Sequence, residues 1–437
     1  MSILKLAWKN IIHDPLSLIL NLILLSLGIG LINFIMLMNH QLKNKFEKNL
    51  AGIDLVIGAK GSPLQLILSS MYHVDAPTGN ISIKEAKPFI REGHPLIAKS
   101  VPLSMGDSYR GYRIIGTDHS ILELYKASIS EGKLWQNLYE VTIGAKVAKE
   151  LDLKLGSKFK SSHGFNDDLD MTHDHGTLTV KGILQSTGSV IDQLILVSTE
   201  SVWEVHDHSL ETEDTAHDHS GHDHHDHDHG EHGHDHEHHD HRNDLSRAHL
   251  LTHEDKDLTS ILIQYKNKMN FQALNMPRNI NENTDLQAAS PAYEINRLYD
   301  MMGVGTRALQ LIAALIALVS GISIFVSLLN SLKKRKYELS LMRVLGAAPS
   351  ILFVLIILEA LILGVLGYLI GLLFSHWGMS ALGTNLEDRY NYPFQAWISH
   401  GQEWWLLGVT LALAIGAALL PALMAYKTEI HKNLSEK

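Results

Sequence analysis

Leu332-Lys333-Lys334-Arg335-Lys336-Tyr337-Glu338-Leu339-Ser340-Leu341-Met342-Arg343-Val344-Leu345-Gly346 lies between two long apolar runs. Four consecutive cations cannot sit in hydrocarbon, and a short basic connection marks the cytoplasmic side of a membrane protein. Placing this loop inside sets the side of every other segment. The run before it, about Ala308–Leu329, and the run after it, about Ser350–Phe374, are each long enough to span a bilayer. A further run, about Trp404–Met424, opens on an interfacial Trp pair and is followed by Lys427, His431, Lys432 and Lys437, again a cytoplasmic pattern. Between the last two spans, Phe374–Glu403 carries Glu387, Asp388 and Glu403 against Arg389 alone, which suits the outer side.

At the other end of the chain, Leu4–Ile12 reads as a short amphipathic helix with an interfacial Trp8, broken by His13-Asp14-Pro15. Leu16 to Met38 then runs without a charge for about 34 Å as a helix, enough to cross a membrane. A cleaved leader would have a shorter apolar region, and Met36-Leu37-Met38-Asn39-His40 offers no small-residue cleavage site, so the segment reads as a retained anchor. Lys43, Lys45 and Lys48 run against the charge rule, but a long following domain crosses largely regardless of such charges.

From about Asn39 to Gly305 no segment can span. Strand-like pieces occur at Tyr112–Ile115, Val141–Ile143, Leu178–Leu184, Gln193–Val197 and Leu258–Tyr265, with Gly182 marking a candidate bulge. Ala145–Leu151 and Pro291–Met302 read as helices, the latter continuing toward the membrane. The expected fold is membrane α-helical: four transmembrane helices with a large extracytoplasmic α+β domain between the first and second. The expected divisions are an interfacial helix over 1–15, spans over 16–38, 308–329, 350–374 and 404–424, and a core-type domain over 39–305. A coupling loop or helix over 332–348, an outer loop over 375–403 and a tail over 425–437 complete the chain.

The net charge of −10 in 437 residues belongs to one tract. Residues 206–241 hold twelve Asp/Glu and no Lys or Arg, and without them the balance turns slightly positive. Nothing in that balance suggests nucleic acid as a partner. The same tract holds fifteen of the 28 histidines, alternating with acids as in His222-Asp223-His224-His225-Asp226-His227-Asp228-His229. There is no cysteine, so imidazole and carboxylate are the ligands left for Zn²⁺. The candidate ligands are His217, His219, His222, His224, His225, His227, His229, His232, His234, His236, His238, His239 and His241. In an extended chain alternate side chains share a face, so the pattern offers many interchangeable ligand sets and no single one. Zn²⁺ is the first expectation; Ni²⁺, Co²⁺ and Cu²⁺ suit the same ligands. With almost nothing apolar to bury, disorder without metal is expected, and binding should weaken as pH falls through the imidazole range. The opposing reading is a low-complexity insert that binds metal without consequence. A smaller cluster of Asp167, Asp168, Asp170, His173, Asp174 and His175 reads as a solvated loop before it reads as a site.

Inside the third span lies Glu359. A charge at the centre of such a helix costs about 2.5–3.5 kcal/mol on insertion scales, so it should face protein or water. A proton or ion path is one reading. A structural contact near the cytoplasmic boundary is the plainer one, because Glu359 is only about nine residues into the span. Gly364, Gly367 and Gly371 beyond it permit close helix packing. No Gly-x-x-x-x-Gly-Lys-Ser/Thr loop and no nucleophile–base motif occurs, so nothing argues for an enzyme and no cofactor is required.

The order of several short segments resembles the permease subunits of MacB/FtsX-like ABC transporters, the group that includes the lipoprotein-releasing permeases. Leu6-Ala7-Trp8-Lys9-Asn10 is similar to their opening. Ile115-Gly116-Thr117, Glu131-Gly132-Lys133, Val141-Thr142-Ile143-Gly144 with Ala148, Leu155-Gly156 and Val180-Lys181-Gly182-Ile183-Leu184 are similar to their outer core domain. Glu338, Arg343 and Gly346 with Ala347 match the pattern after the second span, Glu359 with Gly364 and Gly367 the third, and Leu420-Pro421-Ala422 the fourth. The His-rich tract is no part of that pattern, so a substrate does not carry over.

This resemblance implies a bacterial inner-membrane protein with both termini cytoplasmic, dimeric with a second copy or a paralogue, and served by a separate cytoplasmic ABC ATPase. It implies mechanical coupling across the bilayer, with Glu338, Arg343 and Gly346 in the segment that meets the ATPase. Zinc or related metal handling is the expected task, with a periplasmic metal-binding or lipoprotein partner. Lipoprotein or lipid extraction, peptide or drug export, and a signalling scaffold for a cell-wall hydrolase are the alternatives.

Overall fold

A computed structural model describes residues 3–161, 177–205, 245–390, 397 and 401–427. The His-rich tract and the Asp167–His175 cluster lie outside the described residues. The chain forms two compact units, one of residues 1–44 with 299–437 and one of residues 45–298. Among the described residues, four helices are long and apolar enough to cross a membrane.

Helix α1 (Ile3–Ile12) is amphipathic: Ala7 is fully buried while Trp8 is exposed. The expected break follows, and Pro15 opens α2 (Pro15–Leu50), where a missing N–H costs nothing. Leu16, Ile19, Leu20, Ile23 and Leu27 of α2 are exposed, an apolar face that only hydrocarbon or another apolar surface would tolerate.

The mixed-sheet unit begins with β1 (Leu55–Ala59), α3 (Pro63–Met71), β2 (Ile81–Ser82) and α4 (Ile83–Ile90). A 13-residue strand, β3 (Ile97–Tyr109), is followed by β4 (Tyr112–Thr117), α5 (Ser120–Tyr125), β5 (Ile129–Gly132), β6 (Glu140–Ile143), α6 (Ala145–Glu150) and β7 (Lys158–Phe159). After them come β8 (Leu178–Leu184), β9 (Ile195–Val197), α7 (Arg247–Leu250), β10 (Asp257–Leu258), β11 (Ser260–Tyr265), α8 (Phe271–Asn283) and β12 (Leu286–Ala289). Among the described residues the main sheet runs β12-β1-β11-β3-β4-β9-β6-β8-β5, with β7 on β8. It is mixed: β4–β9 and β6–β8 are parallel, the other pairs antiparallel.

Among the described residues, two apolar cores stabilise this unit. One gathers Leu55, Ile57, Ile261 and Ile263 under α4 and α8; the other gathers Ile114, Val141, Val180 and Ile195 against Val147 of α6. Strand β8 alternates buried and half-buried positions along its whole length, the period-2 pattern of a sheet with one covered face. The bulge expected at Gly182 is present: the β6–β8 register shifts between Val141 and Thr142, skipping Lys181. A Cβ on Gly182 would stand 2.3 Å from the Lys133 carbonyl oxygen, so no other residue fits.

Several expected elements differ in extent. Val190–Gln193 is a 3₁₀ turn, and the strand expected over Gln193–Val197 begins at Ile195. The strand expected over Leu258–Tyr265 is two, because Thr259 turns aside to donate its N–H to the Leu103 carbonyl and to accept from the Met105 N–H. Leu258 then pairs with β2, while Ser260–Tyr265 joins the main sheet.

Past the sheet, α9 (Pro291–Lys334) runs unbroken for 44 residues. It is followed by the short α10 (Lys336–Val344), by α11 (Pro349–Tyr390) and by α12 (Gly401–Tyr426). The segment expected as an outer loop over 375–403 is thus helical as far as Tyr390; Ser375–Leu386 contains no proline to stop it. Gly367 and Gly371 let α11 lie directly on α2. A Cβ at Gly371 would meet the Ser26 carbonyl oxygen at 3.0 Å, and one at Gly367 would meet Leu25 Cδ2 at 2.4 Å. Helix α12 buries Ala414, Ala418 and Ala422, a four-residue repeat that places small side chains along one face.

Candidate coupling site

Helix α9 gives way to α10 at a single residue, Arg335, whose φ of −108° and ψ of 14° leave the helical range. The backbone bonds nearly bridge the break: the Arg335 N–H donates to Ser331 and the Leu339 N–H to Arg335. Helix α10 ends on the two bonds of a Schellman turn, from the Gly346 N–H to the Arg343 carbonyl and from the Ala347 N–H to the Met342 carbonyl. Gly346 sits at φ +97°, a conformation open to glycine at little cost.

One face of α10 buries Leu339 and Ser340 in the core shared with Ala7, Leu332, Leu352, Leu355 and Ala425. The other presents Tyr337, Leu341, Val344 and Leu345, between 43% and 79% exposed. Their spacing of i, i+4, i+7 and i+8 makes a continuous apolar stripe on a helix otherwise rich in charge. Exposed apolar side chains grouped in this way mark a surface suited to a partner or to lipid.

At the base of α10, Arg335 reaches both ways. Its Nε donates to Glu338 Oε2 at 3.2 Å, and its Nη1 to Glu359 Oε1 at 3.4 Å. Glu359 is buried and also accepts from Asn10 Nδ2 of α1 at 2.6 Å. Beside this group, Lys334 Nζ pairs with Asp14 Oδ2 at 3.0 Å, and the Lys334 hydrogen bond and charge hold the Asp14 carboxyl below the usual carboxylate range. Helices α1, α9, α10 and α11 thus meet at one polar knot within an apolar core.

Of the residues singled out from sequence, Glu338 and Glu359 join this knot through Arg335. Arg343 does not: its Nη1 donates to the Ala347 carbonyl at 3.1 Å, capping its own helix, and its Nε has no acceptor among the described residues. Glu359 is held by side chains on two other helices, the arrangement of a structural contact. Sequence reading missed Arg335, Asn10 and Asp14 as members of the site. A buried carboxylate demands a donor, but Asn10 lies 349 positions away.

A second polar group lies about 25 Å further along α11. His376 Nε2 stands 3.3 Å from Glu403 Oε1 of α12, with Trp397 stacked on the imidazole at 5.3 Å. The Tyr368 hydroxyl donates to the Glu403 carbonyl, and Asn33 Nδ2 of α2 donates to Ser375 Oγ at 2.7 Å. In the mixed-sheet unit, Phe89, Leu96, Phe271, Met276 and Ile280 line an open groove of about 480 Å³, with Phe271 78% exposed. Among the described residues, no three His, Asp or Glu side chains converge as a metal site.

A family model described as the FtsX-like permease C-terminal matches residues 311–434, and one described as the MacB-like periplasmic core domain matches residues 18–220. No curated protein matches. Among solved structures, the extracellular domain of the noncanonic ABC-type transporter YknZ from Gram-positive bacteria is 12% identical. The match covers 55% of this chain and 99% of that one, with a TM-score of 0.28. The two family models together span residues 18–220 and 311–434: the chain belongs to the MacB/FtsX-like permeases, membrane subunits of ABC transporters that work with a cytoplasmic ABC ATPase.

Proposed function

We propose that this chain is the permease subunit of a bacterial inner-membrane ABC system, with both termini in the cytoplasm and a second copy or a paralogue as partner. ATP hydrolysis on a separate subunit drives movement of the domain between the first two spans, and zinc or a related metal is what the system handles. The observation that supports the coupling is the exposed stripe of Tyr337, Leu341, Val344 and Leu345, carried by a helix whose base is fastened through Arg335 to Glu359 and Asn10. An apolar stripe of this length suits a groove on a partner, and the fastening passes a push on α10 to the spans. Glu338 and Gly346 then serve α10's position and its end, and Arg343 its cap.

Replacing Leu341 or Leu345 with Asp should abolish permease-stimulated ATP hydrolysis in reconstituted complexes while leaving insertion and folding intact. Full stimulation in both variants would refute the assignment.

The metal half rests on the alternation of His and acid over 206–241. Cells lacking the protein should differ in zinc content, and cells whose copy lacks 206–241 should fail to grow only at metal starvation or excess. Unchanged growth and metal content at both extremes would remove metal from the function. The groove at Phe271 favours a second reading, extraction of a lipid or lipoprotein, because it offers apolar lining to an acyl chain. That reading requires a Phe271→Asp variant to lose transport while metal content stays normal.

A further inference from the structure

We infer that His249 and His253 form a two-imidazole metal site on the folded mixed-sheet unit, taking a borderline divalent cation such as Zn²⁺, Ni²⁺ or Cu²⁺. Neither belongs to the His-rich tract. Their ring centroids are 4.8 Å apart with the planes at 73°. A metal bound at roughly 2.0–2.1 Å to an imidazole nitrogen lies about 3.2 Å from that ring's centroid. Two such rings are then about 4.5 Å apart at a 90° bond angle and about 5.2 Å apart at the tetrahedral angle. The observed separation falls between these limits.

His249 Nδ1 is buried and has no hydrogen-bond partner among the described residues. A buried ring nitrogen left alone is costly, and two histidines merely stacked edge to face would leave that cost unmet. A shared cation meets it.

The frame around the pair is rigid. Ser246 caps α7 by accepting from the His249 N–H at 3.2 Å, and Thr252 Oγ1 donates to the His249 carbonyl at 2.6 Å. Backbone bonds from His253 to Leu250 and from Lys256 to His253 hold the following turn. Arg247 clamps the turn to the sheet, with Nε 3.0 Å from Asp118 Oδ2 and Nη2 2.7 Å from the Ser100 carbonyl. Trp203 packs its ring 5.9 Å from that of His253 and is itself fixed by its Nε1–H bond to the Asp257 carbonyl. Glu254, the nearest acid in sequence, is engaged by Lys87. Imidazole nitrogens therefore supply the ligation, which selects borderline cations over Mg²⁺ or Ca²⁺.

The position gives the site its use. Trp203 lies three residues before the His-rich tract opens at His206, and His249 eight residues after it closes at His241. The pair stands where the His-rich insertion joins the domain, with coordination positions left for water or for an exchanging ligand. This site deepens the metal-handling reading and rests on it for its meaning in the cell, while its existence rests on the geometry alone.

The test uses the full chain with every histidine of 206–241 changed to Asn, purified in detergent and titrated with Zn²⁺ by calorimetry and with Cu²⁺ by electron paramagnetic resonance. One Zn²⁺ equivalent should remain, with a two-nitrogen Cu²⁺ spectrum, and both should vanish in His249→Ala and in His253→Gln at unchanged melting temperature. Changing His94 to Gln should leave them intact. Binding that is absent from the Asn-substituted chain, or that survives both pair substitutions, overturns the site. Normal cellular metal content in cells lacking the protein would instead sink the metal-handling reading and leave this site standing.

Discussion

Removing the charge of Arg335 should cost more than removing that of Glu359, by an asymmetry built into the polar knot. The Arg335 side chain is 13% exposed and that of Glu359 3%. Arg335→Met leaves Glu359 buried with one neutral donor, Asn10 Nδ2, and no cation. Stranding one member of a buried pair typically costs 3–5 kcal/mol; with Asn10 still bound and Arg335 near the boundary, about 3 kcal/mol is expected. Glu359→Gln leaves Arg335 paired to the exposed Glu338 and leaves an amide oxygen for Asn10, so about 1 kcal/mol is expected. The double variant removes the unmatched charge altogether and should be more stable than Arg335→Met alone, a coupling of at least roughly 1 kcal/mol. For a unit of this size 1 kcal/mol shifts the melting temperature by about 2–4 °C, so the two single variants should melt several degrees apart in detergent. Equal costs that simply add would show that Glu359 is held by Asn10 alone, and the account of the knot would fail.

Three other outcomes follow from single residues. Gly371→Val should cost roughly 1–3 kcal/mol, because its Cβ would press on the backbone of Ser26 and Gly30, while Gly378→Ala, which meets only the Phe34 ring at 3.7 Å, should melt like the parent. Gly346→Ala places a Cβ at φ +97° in open space, so it should lose about 1 kcal/mol through the backbone alone and lower ATPase stimulation on the proposed reading. His73 is buried at φ +54°, and burial, helped by the Arg113 charge, pushes its pKa down to about 3. The unfolded chain binds that proton near pH 6.5, so stability should fall between about pH 6.5 and 3 by at most roughly 5 kcal/mol and then level. In His73→Asn, which tolerates the left-handed backbone, that slope should flatten in a pH series of denaturant melts.

The spans were legible because an uncharged run of twenty-odd residues has few other fates, and β8 because its alternation is unbroken. Strand β3 was hidden by Pro102, Gly106 and Lys99, which interrupt any apolar pattern; its register shift between Met105 and Ser108 absorbs the interruption. The site divided in the same way. That Glu359 needed a partner followed from its chemistry, but the identity of Asn10 depends on folding that brings distant segments together. The stripe of Tyr337, Leu341, Val344 and Leu345 stood in plain sequence, masked by the charges between its members. Arg343 matched a family pattern, yet its local geometry makes it a helix cap.

The contacts of α11 argue for how a push at α10 is carried on the proposed reading. Along α11, Gly367 meets Leu25, Gly371 meets Gly30 and Ser375 meets Asn33, so α2 and α11 run parallel in a single register. Glu403 at the start of α12 meets Tyr368 and His376, and Lys334 at the end of α9 meets Asp14 at the start of α2, so α9 and α12 run the other way. The starts of α2 and α11 and the end of α9 therefore share one side, where Arg335 and Glu359 lie. A one-turn slip of α11 past α2 would set Gly367 or Ser375 against Gly30 and part Asn33 from Ser375 in a buried position. That lost hydrogen bond favours movement of the two helices as one body. A force entering at the α10 stripe then moves α2 and α11 together, and α2 is the helix that leads directly into the mixed-sheet unit.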